Sequence, residues 1–311
     1  MTEQICCVCH KAVGPDAPRL GARAYCDLHY ARVNQDRRSL WTSGVVQILG
    51  VLVFVGLVAG LVSIVDFSLE GTALLLAGIV LALVPALLWL AFFYQQDRLE
   101  PEPKQYVLGV FLLGGLLASA VAIPAVRDFF QAQDWMPRST AANLLGSVLV
   151  IGFVQEFLKY AAVRYSVYLL PEFDERIDGV VYGTAAGLGF ATMLNIQYVV
   201  ANAGVDLGAG VIRIAVTALA QASFAGVSGY FLGRAKFEEE PVWWLPLGVT
   251  ISALLNGLFT YVRGEIVTVG LNYKPVNGLI LAAVVALLTF AALNVLMRRA
   301  NRLTLAAGSA G

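Results

Sequence analysis

The sequence predicts an all-α polytopic membrane protein of about eight transmembrane helices, preceded by a small N-terminal zinc-knuckle module. Hydrophobic residues make up 59% of the 311 residues and charged residues only 14%, whereas soluble domains carry about 25% charged residues. The mean hydropathy is +0.74. All four cysteines and both histidines precede residue 30, which separates the module from the apolar remainder of the chain.

Eight apolar segments are long enough to cross a bilayer, whose core of about 30 Å needs roughly 20 apolar residues per helix. Within these segments Gly and Ala alternate with bulky aliphatic residues, as in membrane helices that pack through small side chains. No segment reads as a barrel strand. The predicted spans cover residues 44–65, 73–94, 106–126, 140–164, 178–202, 209–233, 243–263 and 275–297.

The distribution of Lys and Arg predicts the topology. Eight spans place both termini on one side, and that side receives fifteen basic residues against five on the other. Because basic residues are enriched in cytoplasmic loops, both termini are expected to be cytoplasmic. The balance of 21 basic and 21 acidic residues argues against a nucleic-acid partner. The predicted units are a module at 1–38, a transmembrane domain at 39–303 and a flexible tail at 304–311.

The N-terminal module contains two chelating pairs, "CCVC" and "CDLH", separated by sixteen residues. Two such pairs suit a tetrahedral Cys3His site for structural zinc. A cytoplasmic location argues against disulfides. Cys7 and His10 are adjacent alternatives for Cys6 and Cys9. The predicted zinc ligands are Cys6, Cys9, Cys26 and His29.

Four consecutive predicted spans, the fourth to the seventh, carry polar stripes. Polar side chains are costly in a bilayer and usually mark function or contacts between helices. Glu156 and Lys159 lie three residues apart, hence on one helix face, where they can neutralise each other. The stripes predict a shared polar centre, formed by Gln155, Glu156 and Lys159, by Asn195, Gln197 and Tyr198, by Arg213, Thr217 and Gln221, and by Ser252, Asn256 and Thr260.

Four stretches resemble, in this order, the PrsW family of intramembrane proteases: "FYQQDRLEPEPKQYVLGVFLLGG", "VQEFLKY", "FDERIDGVVYGTAAGLGFATMLNIQY" and "QASFAGVSGYFLGRAKF". They cover roughly residues 90 to 262. The resemblance implies a bacterial polytopic fold, distantly related to the CAAX prenyl proteases, and cleavage of membrane-anchored regulators such as anti-sigma factors. The acidic half of the third stretch reads as exposed.

By this resemblance, catalysis depends on a glutamate pair followed by Lys (E-E-x-x-K), a Glu before the Asn of the fifth-span motif, and two histidines on later spans. Such groups can hold a metal or activate a water. The corresponding positions here are Gln155, Glu156, Lys159, Leu194, Asn195, Gln221 and Asn256.

Four of these positions depart from the family pattern. Gln155 stands in place of the first Glu, Leu194 in place of the later Glu, and Gln221 and Asn256 in place of the two histidines. Amides keep the size and hydrogen bonding of the groups they replace while removing a titratable group. We therefore expect a polar, uncharged pocket that has lost acid–base and metal-ligand chemistry.

The resulting hypothesis is a pseudoprotease of the bacterial plasma membrane, a receptor or scaffold that holds the transmembrane helix of a single-span partner. The alternative is an active intramembrane peptidase that uses Glu156 and Lys159. A transporter is a third reading, since Arg213 and Glu156 could line a path, although no inverted repeat supports it.

Overall fold

The structure, a computed structural model, describes residues 4–20, 23–33, 71–97, 99–201, 209–268 and 275–307, with isolated positions between 45 and 57. Among these residues, seven helices are long and apolar enough to cross a membrane. The chain is therefore a helical integral membrane protein. The predicted first span at 44–65 falls mostly outside the described residues.

The N-terminal module, called the head below, consists of two short hairpins and a helix. Its helix begins one residue after Cys26. Of the second chelating pair, Cys26 therefore lies in a loop and His29 in the first turn of the helix. The elements are β1 (Gln4–Ile5) paired antiparallel with β2 (Ala12–Val13), β3 (Arg19–Leu20) paired antiparallel with β4 (Arg23–Ala24), and α1 (Asp27–Val33).

The membrane part contains nine further α-helices within the described residues. They are α2 (Gly71–Tyr94), α3 (Lys104–Leu117), α4 (Ala132–Trp135), α5 (Thr140–Leu145), α6 (Phe153–Ser166), α7 (Asp178–Ala201), α8 (Ala209–Phe237), α9 (Trp244–Thr268) and α10 (Pro275–Ala307). Three π-helical segments prolong α3 and join α5 to α6, namely Ala118–Ala122, Ala125–Phe129 and Gly146–Gly152.

Each of the other seven predicted spans coincides with one of the long apolar helices, with shifted ends. The third span is longer than expected, because its apolar helical run covers Lys104–Arg138. At the C-terminus α10 continues to Ala307. Residues 304–307, assigned to a flexible tail, are therefore helical, and residues 308–311 lie outside the described part.

Helices α7 and α8 form the centre of the bundle, and α2, α3, α6, α9 and α10 pack around them. Glycines bring α7 into backbone contact with its neighbours on two sides. A Cβ on Gly229 of α8 would lie 2.0 Å from the carbonyl oxygen of Gly179, and a Cβ on Gly189 would lie 1.8 Å from that of Phe111 in α3. Larger side chains at these contacts would force the helices apart.

The acidic stretch that leads into α7 is partly buried, whereas its composition suggested exposure. Glu175 is 1% exposed and Asp178 is 0% exposed. Arg23 of the head forms an ion pair with Glu175 at 2.7 Å and further pairs with Glu100 and Asp174. The compensating charge therefore comes from a residue about 150 positions away along the chain, which the local composition does not indicate.

Candidate functional site

The polar stripes of α6, α8 and α9 meet in one buried hydrogen-bonded network. On α6 the Nζ of Lys159 lies 2.5 Å from Oε1 of Glu156, and both side chains are fully buried. Lys159 also donates a hydrogen bond to the side-chain oxygen of Gln221 on α8. The spacing of three residues thus produces the close pair that it predicts.

Asn256 on α9 closes this network. Its amide group donates to Oε1 of Glu156 at 2.7 Å and to Oε1 of Gln155 at 3.1 Å. Its own oxygen accepts from the amide of Gln221 at 3.2 Å. These contacts link three helices through side chains alone. We call this set (Gln155, Glu156, Lys159, Gln221 and Asn256) the amide network.

Two of the predicted positions lie outside the amide network. Leu194 packs against Ala118, Ala122 and Phe190 in a small apolar cluster. Asn195 donates to the backbone carbonyl of Ile214 at 3.1 Å and so ties α7 to α8. Both residues therefore make contacts between helices, and neither has a polar contact with Glu156 among the described contacts.

A cavity of about 410 Å³ lies beside the amide network. Gln155 and Gln221 form part of its wall, and so do Leu194 and Asn195. Neither Glu156 nor Lys159 belongs to the lining residues. On the side of the amide network, the cavity wall is therefore formed by neutral amides. The ion pair of Glu156 and Lys159 lies behind them and does not line the cavity.

Three arginines line the cavity, which is therefore not the uncharged pocket that the sequence predicts. Arg127 is paired with Asp128, whereas Arg213 and Arg263 have no carboxylate partner among the described residues. Arg213 stacks on the ring of Tyr198 at 3.3 Å, and Arg263 lies 3.4 Å from the hydroxyl of Thr217. The lining residues that the structure describes include no Asp or Glu. A partly buried guanidinium without a carboxylate partner favours an anionic or carbonyl-rich ligand.

Irregular helical geometry shapes the same cavity, and the sequence analysis missed it. Ala122 and Val126 of the π-helical segments after α3 line the cavity, as does Ile151 of the segment before α6. Such π-helical turns occur often at functional sites. The sequence gives only an indirect sign of them, since one segment begins at Gly146 and ends at Gly152.

In the head, the structure brings Cys6, Cys9, Cys26 and His29 together, with one ligand atom of each within 4.8 Å of the others. The Sγ of Cys26 lies 3.1 Å from Nδ1 of His29 and 4.0 Å from the Sγ of Cys9. These separations suit ligands around one ion with bonds of about 2.0–2.3 Å. The head can therefore offer a tetrahedral set of soft ligands.

The neighbouring alternatives, Cys7 and His10, do not belong to this group. Burial opposes ionisation of the Cys6 thiol, but backbone hydrogen bonds lower its pKa to about 6. Burial, with Glu100 nearby, instead raises the pKa of Cys7 to about 12. Because the thiolate is the form that binds metal, Cys6 is the better ligand of the two.

Comparison with known proteins decides the family. A family model described as "PrsW family intramembrane metalloprotease" matches residues 102–293. The chain belongs to the PrsW family. It is 34% identical to Protease PrsW of Halalkalibacterium halodurans over 57% of this chain and 79% of that protein. It is 32% identical to Protease PrsW of Bacillus subtilis over 61% of this chain and 82% of that protein. No solved structure matches the chain.

The amide network does not fit the metal that the description of the PrsW family implies. Its single carboxylate, Glu156, already binds the ammonium of Lys159 and the amide of Asn256 through one oxygen. Zinc takes three or four N, S or carboxylate ligands, and the network supplies no second group of this kind. Within the described residues, the clusters able to hold a metal all lie elsewhere.

A second buried polar group of this PrsW-family protein lies at the end of the bundle that faces the head. We call it the carboxylate cluster. Each of its side chains is at most 3% exposed, and three of the four fall in the region that matches the family model. Its members are Asp97, Glu102, Glu175 and Asp178.

The electrostatics of the carboxylate cluster differ from those of an exposed acidic patch. Burial raises the pKa of Glu175 to about 8, although Arg23 opposes this, and burial raises that of Glu102 to about 8 as well. Burial and the nearby Glu102 raise the pKa of Asp97 well above its usual range. The motifs "DRLEPEP" and "FDERID" were the available signal, but only the fold shows that they meet.

Proposed function

We propose that this PrsW-family protein is a non-catalytic membrane receptor or scaffold, a pseudoprotease that holds the transmembrane helix of a single-span partner. One observation carries the proposal. Five of the seven positions that the resemblance assigns to catalysis form a closed amide network, in which the only carboxylate is paired with Lys159 and kept out of the cavity. Such a network can orient a partner, and its one carboxylate neither lines the cavity nor has a second metal ligand beside it.

The cavity supports a partner of particular chemistry. Arg213 and Arg263 would attract an acidic side chain, which is costly in a bilayer unless it is paired. The amide nitrogen of Gln155, for which no hydrogen bond is described, can donate to exposed backbone of a partially unwound helix. We propose a partner helix that carries an acidic residue near its membrane end, as opposed to a uniformly apolar one.

The proposal extends to the setting of the molecule. The protein lies in a bacterial plasma membrane with both termini in the cytoplasm, consistent with its basic loops and bacterial relatives. The head at 1–38 binds one structural zinc through Cys6, Cys9, Cys26 and His29. It is a separate cytoplasmic module from the transmembrane domain at 39–303 and contacts that domain, or a soluble partner, through polar surfaces.

Cleavage of a membrane-anchored reporter tests this proposal. The wild type should leave a helix-destabilised reporter intact while retaining it in a pull-down. Replacing Arg213 and Arg263 together by Gln should weaken capture of a reporter with an acidic residue more than capture of its neutral Asn counterpart. Cleavage by the wild type that disappears in Glu156→Ala would overturn the proposal.

Restoration of the family residues provides the positive arm. The quadruple variant Gln155→Glu, Leu194→Glu, Gln221→His and Asn256→His should gain divalent-metal binding in the membrane domain, whereas single restorations should gain little because ligands act as a unit. Since Leu194→Glu adds a carboxylate within the bilayer at a cost of a few kcal/mol, the matched control keeps Leu194 and restores the other three.

The second candidate function is an active intramembrane peptidase that uses Glu156 and Lys159. One observation favours it: the Oε2 of Glu156 is buried and accepts no hydrogen bond among the described residues. An oxygen in this state could accept a proton from a water. The Glu156→Ala comparison on the reporter separates the two candidates directly.

A further inference from the structure

The carboxylate cluster presents an imbalance that the described protein groups do not resolve. Arg23 forms ion pairs with Glu175, Glu100 and Asp174, although its single charge can balance only one of the three. The other nearby cation, Lys236, donates to three backbone carbonyls, at 2.6 Å for that of Phe173. The remaining carboxyl groups without a described ion pair are Asp97, Glu102 and Asp178.

These three carboxyl groups share one hydrogen-bonding pattern. One oxygen of each is fixed by a protein donor: the N–H of Glu102 binds Asp97 at 2.8 Å, the hydroxyl of Tyr182 binds Glu102 at 2.5 Å, and the N–H of Glu175 binds Asp178 at 2.5 Å. The other oxygen of each is buried and has no hydrogen-bond partner among the described residues. Orientation by one oxygen with the second left free is the arrangement found around metal ligands.

Carboxylate oxygens of the cluster also lie close to one another. Asp97, Glu175 and Asp178 each offer a carboxylate oxygen within 4.8 Å of the others. Glu102 and Asp178 are close enough for a side-chain hydrogen bond, although both are acceptors when ionised. Acceptors in such contact require either shared protons or a cation between them.

We propose that the carboxylate cluster binds one divalent cation that prefers oxygen ligands, of the class of Mg²⁺, Mn²⁺ or Ca²⁺. Carboxylate oxygens are the ligands that these hard cations select, and the absence of Cys or His from the cluster disfavours zinc. The cation links the loop before α3, which supplies Asp97 and Glu102, to the start of α7. This site is distinct from the amide network and does not depend on the receptor proposal.

The position of the site gives the cation a structural task. Arg23 joins the same cluster to the head, and the hydroxyl of Tyr25 donates to the carbonyl of Leu99 at 3.2 Å. The bound cation therefore fixes the loops against which the head docks. Because Arg23 and the cation carry like charges around Glu175, they also oppose each other.

Mn²⁺ binding to the full-length, zinc-loaded protein in detergent tests the site, with bound Mn²⁺ counted by electron paramagnetic resonance. The wild type should bind about one Mn²⁺ per chain, displaced by Mg²⁺ or Ca²⁺. Asp97→Asn with Asp178→Asn should weaken binding at least about tenfold, because two charged ligands are lost. Arg23→Gln should change affinity in the opposite direction, tightening it several-fold. Glu238→Gln, which removes a carboxylate paired with Arg176 and Arg234 at the same end, should leave binding unchanged.

Two outcomes overturn the proposal. One is a zinc-loaded wild type that binds no Mn²⁺ and whose thermal midpoint does not respond to Mg²⁺, Mn²⁺ or Ca²⁺, which means that protons alone balance the cluster. The other is a double variant that binds Mn²⁺ as the wild type does. If the double variant does not fold, the single variants Asp97→Asn and Arg23→Gln supply the same test. The first should weaken Mn²⁺ binding and the second should tighten it, and a failure of either change overturns the proposal.

Discussion

The amide network and the carboxylate cluster are both buried groups of polar residues, but they differ in how far their polar atoms are paired within the protein. In the network, donors meet acceptors across three helices, and the one negative charge lies 2.5 Å from a positive one. In the cluster, three carboxyl groups each keep one oxygen without a hydrogen-bond partner among the described residues. The first arrangement is nearly complete in itself, whereas the second requires protons or a ligand.

This difference distinguishes two roles of buried polar residues, a structural role and a ligand-binding role. An internally paired group stabilises one packing of helices and leaves little chemistry available, because its donors and acceptors are engaged. An unpaired buried group carries an unfavourable desolvation free energy, which a bound ion can offset. Burial alone therefore does not locate function in this protein, and hydrogen-bond partners must be counted.

The largest expected effect comes from breaking the ion pair of the amide network. Lys159→Ala leaves Glu156 charged and buried, and the loss of one partner of a buried pair costs about 3–5 kcal/mol. Unfolding in detergent, followed as a function of denaturant, should show this loss. Adding Glu156→Gln should recover part of it, because the unpaired charge disappears.

Arg164→Ala is the matched control for this experiment. Arg164 lies on the same helix but stacks on Tyr168, outside the network, so its loss should cost below about 1 kcal/mol. Strict additivity of the Glu156 and Lys159 substitutions would contradict a direct pair. In that case the result would support the alternative function, in which Glu156 acts as a catalytic base.

A smaller loss of stability is expected from substituting asparagines. Asn256 lies inside the amide network and Asn195 outside it, so the two compare one residue type in two environments. Asn256 bonds Gln155, Glu156 and Gln221, so Asn256→Ala leaves several buried partners unsatisfied and should cost about 2–3 kcal/mol. Asn195 has one described hydrogen bond, to a backbone carbonyl, and Asn195→Ala should cost about 1 kcal/mol. Equal losses in the same unfolding assay would show that the network does not act as a unit.

The smallest effect on the bundle is expected from removal of the zinc ligands. Cys26→Ser should abolish the binding of about one zinc per chain, measured by elemental analysis, and should unfold the head, which has too few residues for an apolar core. The stability of the bundle should fall by less than about 1 kcal/mol, because its main apolar core includes no head residue among those described and the freed Glu175 gains access to water. Zinc retained in this variant, or in protein lacking residues 1–38, would refute the ligand assignment.

The sequence was sufficient where short-range or strongly periodic signals applied. Apolar length predicts the seven long helices, and spacing of three predicts the contact of Glu156 with Lys159. Stripes at intervals of four residues bring Gln221 and Asn256 to the face that forms the network. Family motifs then relate these positions to one another, and the family model covers the same region.

The carboxylate cluster was missed because no local pattern encodes it. Asp97 comes from the loop before α3 and Asp178 from the start of α7, and the charge that makes burial of Glu175 tolerable belongs to Arg23 in the head. A run of acidic residues ordinarily predicts solvent exposure. Only the close packing of α7 against its neighbours turns two acidic loops into one interior group.

The glycine contacts of α7 also determine where the molecule can move. With backbone touching backbone at Gly179 and at Gly189, α7 cannot roll or slide by one residue without collision. Motion that admits a partner must therefore occur around the cavity, in the π-helical segments at Ala118–Ala122 and Gly146–Gly152. Amide hydrogen exchange would then be slowest along α7 and fastest in these two segments, and access to the interior would be a property of the periphery.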